Sequence, residues 1–201
     1  MHDRYSITPP AQRSAYELDV PKLEAPHLPG EVVATEEVDE LIDRVAADLV
    51  MHAVNCVRQF GDFHLALSGG PLQESLYERL MYDPNYRRLP WRRAHLWIVD
   101  EPSVPFGDAR SRFRPIDETI VDHSGIPAEQ VHPIYATSDE ADVQYTMQMQ
   151  EILSFRPKGH DRLDYVLLNA GPQGDIAGLF PGTQPVDEPA KPMTINVCES
   201  S

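Results

Sequence analysis

Three short stretches carry residue types that can do chemistry. Ser68-Gly69-Gly70 follows the apolar run FHLAL and precedes a helix-like segment. Paired glycines at such a turn let backbone N–H groups approach a phosphate or a carboxylate, aided by the positive end of the helix. The same tripeptide also suits a plain tight turn. Asp100 and Glu101 close a second apolar run, AHLWIVDE. Adjacent acids at the end of a strand can accept a proton or orient sugar hydroxyls, and they can equally be solvated loop acids. The third stretch, VLLNAGPQGDIAGLFPGT at 166–183, runs from an apolar segment into a turn with Gly171, Gly174 and Asp175, then into a short helix-like piece. Between the second and third lies GDARSRFRP (107–115), the densest basic patch, with Arg110, Arg112 and Arg114. Arginine forks hold phosphate in bidentate fashion, and loop arginines also solubilise or pair with acids.

Other chemistries lack support. The eight histidines show no metal-ligand spacing, and there is no HExxH, CxxC or GxSxG. His123 and His132 read as structural.

These residues need elements to position them. Apolar positions recur every three to four residues through 36–61, which predicts an amphipathic helix with Thr35 as N-cap and Gly61 as its stop. Leu72–Leu80, 115–123 and 138–155 also read as helices, the last with Tyr145, Met149, Ile152 and Leu153 on one face. Residues 63–67, 94–99 and 163–169 read as strands, with brief extended pieces at 131–136 and 193–197. Apolar strands alternating with helices argue for an α/β, Rossmann-like domain whose parallel or mixed sheet is covered on both faces. Ligands gather at the carboxyl ends of such strands, where all three chemical stretches fall. Residues 1–35 are proline-rich and read as an extended arm, and 36–201 as a single domain with a short C-terminal part.

Composition narrows the possible partners. The chain has 201 residues, 41% of them hydrophobic, and a net charge of −15. So acidic a surface repels nucleic acid, and an anionic ligand needs a local basic pocket. Apolar runs fall short of a membrane span, and no apolar leader core opens the chain. Two cysteines, Cys56 and Cys198, make no disulfide framework. The expected setting is a reducing cytoplasm.

Taken in order, the motifs resemble the 6-phosphogluconolactonase family, within the wider glucosamine-6-phosphate isomerase superfamily, from about 36 to 192. The family's SGGSTP corresponds to SGGPLQ here, its DER…D-x-x-S-N-Y to DEPSVPFGDARSRF, and its GPDGHTASLFPGT to GPQGDIAGLFPGT. A VHPI segment lies between, and the LFPGT ending favours the lactonase branch over the amino-sugar isomerases. The resemblance implies a NagB/RpiA-like fold, a sugar phosphate as partner, and hydrolysis of 6-phosphogluconolactone to 6-phosphogluconate without metal or cofactor. It also implies roles. Asp175 stands where the family has the histidine that activates water, Pro102 where an arginine holds phosphate, and Arg112 where there is an asparagine. Pro71-Leu72 replaces Ser-Thr, Gln173 replaces an acid, and Lys191 matches a phosphate-binding lysine. An aspartate ordinarily titrates near roughly 3.9, an imidazole near roughly 6.5, so the exchange weakens the base. Two readings follow, a lactonase with an altered site or a non-catalytic relative that binds a sugar phosphate or a protein. The expected assembly is a monomer or homodimer.

Overall fold

The structure, a computed structural model, describes residues 30–183. Lys191, Cys198, the extended piece at 193–197 and most of the N-terminal arm lie outside the described residues. The chain divides into two units, 1–35 and 36–201. Residues 30–35 carry no helix or strand, and every element below belongs to the second unit.

Helix α1, Val38–Phe60, buries Ile42, Ala46, Leu49, Val50 and Ala53. Their spacing of three to four residues makes one stripe facing the core. The helix starts later than Thr35 predicts: Glu37 holds the N-cap position with extended backbone and no side-chain cap bond. Acidic Asp39 and Glu40 in the first turn suit the positive end of the helix dipole instead. Gly61 ends the helix as expected, at φ 93°, its N–H donating to the Val57 carbonyl at 2.9 Å.

Four strands follow: β1 Phe63–Leu67, β2 Ala94–Ile98, β3 Val131–His132 and β4 Tyr165–Val166. All pairings are parallel and the order is β3-β2-β1-β4. β1 is central and buried at every residue, which is why its run is apolar rather than alternating. β4 pairs over only two residues, shorter than the apolar stretch 163–169, with Asp164 and Leu167 adding single bonds to the His64 and Ala66 carbonyls.

The chain steps from β1 to β2 to β3 in one direction, then returns past β1 to reach β4. Helix α2, Pro71–Tyr82, makes the first crossover. The second includes α3, a helical stretch that opens at Phe113–Ile116, widens into a π-turn over Asp117–Val121 and closes at Asp122–Ser124. The return runs through α4, Ala141–Leu153. Right-handed crossovers therefore put α2 and α3 on one face and α4 on the other. Helix α1 packs on α2. On the α4 side, Tyr145 sets its ring edge against Trp97 and its hydroxyl bonds both the N–H and the carbonyl of Ile98. The strand order reverses between β1 and β4, which opens a crevice at their carboxyl ends.

The amino end is held by polar groups. Arg156, 7% exposed, bridges Asp62 and Asp164 with several N–H···O contacts, tying the segment after α4 to the starts of β1 and β4. Register lines up His64 beside His95, and His132 beside Trp97. Their rings stack in sequence across three strands. Cys56 packs at the core edge, its thiol pushed up to about 11 by burial and by nearby Asp164.

Candidate active site

The turn after β1 is built for close approach. Ser68 is buried, and its carbonyl accepts the Tyr77 hydroxyl from nearly two turns into α2. A Cβ on Gly69 would sit 2.9 Å from Arg112 Cβ, and one on Gly70 would sit 2.7 Å from Gln73 Oε1 and 3.0 Å from Asn169 Nδ2. Gly70 also has φ 135°, a conformation side chains rarely adopt. These glycines let the loops after β2 and β4 close onto the loop after β1.

The turn after β2 supplies the charges. Asp100 is 9% exposed, with Oδ2 3.1 Å from Arg112 Nε and Oδ1 without a hydrogen-bond partner among the described residues. Burial pushes its carboxyl above the usual range, Arg112 pulls it back, and Asp175 adds to the rise. Glu101 does something different from its neighbour. Its two oxygens accept the backbone N–H groups of Arg112 and Phe113 at 3.1 and 2.8 Å. It thus caps the start of α3 and presents Arg112. The basic patch separates accordingly: Arg110 pairs with Asp108 and Arg114 with Glu118, both out in solvent. Arg112 alone of the three reaches the crevice, and its Nη groups carry no further bond among the described residues.

The turn after β4 differs from its expected shape. Gly174 N–H closes a turn onto the Gly171 carbonyl, and Gly171 N–H donates to the Asp175 carbonyl. Asp175's carboxylate folds over Gly171, in space that any side chain there would fill. The helix-like piece expected after Asp175 is instead a tight hairpin turn. Ile176 and Leu179 exchange both backbone bonds around Ala177 at φ 55° and Gly178 at φ 71°. Two successive left-handed residues reverse the chain and cannot propagate a helix. The turn brings Gly178 against Asp100, whose Oδ2 is 3.3 Å from where a Cβ would be. The loops that carry Ser68, Asp100, Arg112 and Asp175 thus meet at the reversal between β1 and β4.

Gln73 and Gly178, which the sequence did not single out, also stand at this junction, beside Asn169 at the end of the third apolar run. Gln73 left a signal, because it is polar yet falls on the apolar stripe of α2.

A second polar cluster lies at the amino end. Asp62, His64 and His95 offer ligand atoms within 4.8 Å of one another, an arrangement created by strand register and invisible in sequence spacing. Its hydrogen bonds are those of neutral rings. Trp97 Nε1–H donates to His64 Nδ1 at 3.1 Å, which leaves the ring proton on Nε2. A cation on Nε2 would displace that proton while Trp97 still held Nδ1, and Asp62 is already engaged by Arg156. The adjoining cavity, about 390 Å³, is lined by Arg92 and Arg93 as well as Asp62 and His95.

The family model for glucosamine-6-phosphate isomerases/6-phosphogluconolactonase matches residues 36–200. The chain belongs to this family. Its relatives include the human GDH/6PGL endoplasmic bifunctional protein, 34% identical over 151 residues, which covers 71% of this chain and 18% of that protein. The 6-phosphogluconolactonase of Haemophilus influenzae is 28% identical over 140 residues, covering 70% of this chain and 57% of that one. The chain therefore spans less than two thirds of each. Among solved structures, the 6-phosphogluconolactonase of Thermotoga maritima superposes with TM-score 0.59 at 27% identity, covering 69% of this chain and 60% of that one. That of Trypanosoma cruzi, at 21% identity and TM-score 0.66, covers 82% and 71% and supports the fold alone. The parallel α/β sheet read from the sequence is thus a lactonase-family sheet of NagB/RpiA-like type. Among the described residues, no helix is long and apolar enough to cross a membrane.

Proposed function

We propose that this lactonase-family protein hydrolyses 6-phosphogluconolactone to 6-phosphogluconate. The observation that carries the reading is the meeting of Arg112, Asp100 and Asp175 at the crevice between β1 and β4. Water adds to the lactone carbonyl carbon, a carboxylate of the Asp175–Asp100 pair takes its proton, and the ring C–O bond breaks. The ring oxygen takes up a proton as it leaves. Asp175 is the base in the position of the family histidine, and Asp100, lifted by burial, is its partner. Arg112 is the phosphate cation, offsetting Pro102, with Lys191 as a second cation. Ser68, Gly69 and Gly70 form the turn under the substrate, and Gly171 and Gly174 shape the base's loop. Glu101 positions Arg112 and stays out of the chemistry. A cytoplasmic setting fits two cysteines without a disulfide framework.

The test is a lactonase assay, corrected for spontaneous hydrolysis. Wild type should accelerate the reaction and Asp175→Ala should abolish the excess. The double variant Asp175→His, Pro102→Arg should be faster, on the order of 10²–10⁴ if general-base assistance is restored in full. A silent wild type beside an active double variant would replace hydrolysis with ligand binding as this protein's role.

A further inference from the structure

We propose that Gln73 is a specificity-determining residue, its carboxamide hydrogen-bonding a hydroxyl on the carbon chain of the bound sugar acid or lactone. The inference rests on the sugar-phosphate reading above and adds how the unphosphorylated part of the ligand is recognised.

The argument begins with α2. Its buried residues are Gln73, Leu76, Tyr77, Leu80 and Met81, at spacings of three, one, three and one. Such a stripe faces the core and ordinarily starts with an apolar residue. Tyr77 satisfies its one polar group on the Ser68 carbonyl. Gln73 does not: it is 5% exposed and its Oε1 has no hydrogen-bond partner among the described residues. A buried amide left unpaired lowers stability, so its presence calls for a reason.

Its position supplies one. The amide lies over Gly70, with the Asn169 amide on the same side, where the loops after β1 and β4 meet. Among the described residues five buried side-chain atoms lack a partner, and three of them belong to this end of the sheet: Ser68 Oγ, Gln73 Oε1 and Asp100 Oδ1. Two of the three are acceptors, which a fully ionised phosphate cannot answer and a hydroxyl can. Rotating the amide by half a turn would orphan an N–H instead, and a hydroxyl oxygen would accept it. Labour is thereby divided: Arg112 takes the anionic end, Asp100 serves the base, and Gln73 takes a hydroxyl.

Calorimetric titration of the full chain tests this with two probes, 6-phosphogluconate and inorganic phosphate. Gln73→Leu, close in volume, should weaken 6-phosphogluconate about 10-fold and leave phosphate unchanged. The ligand-free Tm of Gln73→Leu should equal or exceed that of wild type, because an unpaired polar group has been removed. Gln73→Met should repeat both results. Equal 6-phosphogluconate affinity in wild type and Gln73→Leu would overturn the inference, as would a lowered Tm with both probes weakened alike, the mark of a structural role. A wild type that does not bind 6-phosphogluconate would overturn the functional reading itself and this inference with it, an outcome distinct from the others.

Discussion

Asp100 and Glu101 are neighbours with opposite duties, and their contacts separate them. Asp100 keeps one oxygen on Arg112 and one buried without a hydrogen-bond partner among the described residues. Glu101 commits both oxygens to the backbone of α3. Burial lifts the Glu101 carboxyl, while the Ser111 hydroxyl and then those N–H groups pull it down. Glu101→Ala should therefore cost about 1–2 kcal/mol in urea unfolding, the range for a lost helix cap. It should also weaken phosphate binding through displacement of Arg112. Unchanged stability would remove Glu101 from its capping role. Nothing in the dipeptide Asp-Glu distinguishes the two, and nothing in GDARSRFRP marks Arg112 among its three arginines. Each depends on which neighbour lies within about 3 Å.

At the scale of elements, the loops hold the site and the helices hold the loops. The segment after α4 is anchored by Arg156, whose guanidinium lies buried between Asp62 and Asp164. Removing it strands two carboxylates in a poorly solvated place, so Arg156→Ala should cost about 3–5 kcal/mol. Arg79, between Asp39 and Asp43 on α1, is a control with more exposed partners. Arg79→Ala should cost about 1 kcal/mol or less. Equal losses in chemical denaturation would show that burial is not what makes the Arg156 contacts matter. Helix periodicity identified α1, α2 and α4 with ends misplaced by a few residues. It misjudged 176–180, where an apolar-looking run turns out to be a hairpin turn.

Across the whole domain the amino end sets the response to acid. Burial holds His64 down at about 4 and His132 at about 3, and it lowers His95 as well. In the unfolded chain each ring titrates near roughly 6.5. Between those values the unfolded chain binds more protons than the folded one, so stability rises with pH there and falls on acidification. The Tm should begin to drop as pH passes below about 6.5, above the range in which carboxylates titrate. His132→Gln should flatten that limb. A Tm constant from pH 7.5 to 5 would contradict the buried, neutral state of the three rings.

The sequence alone determined the class of fold, the order of its elements and the three turns that meet at the carboxyl end of the sheet. Those features are local: periodicity, glycine placement and motif order are all read within one stretch. Tertiary structure decided which side chains meet. It turned Arg112 inward, left Gln73 Oε1 without a partner among the described residues, gave Glu101 to the backbone and aligned three histidines from strands 31 to 37 residues apart. The physical reason is that such contacts depend on strand order and register. These emerge only when β1 pairs with β2 on one side and β4 on the other, and no spacing along the chain encodes that choice.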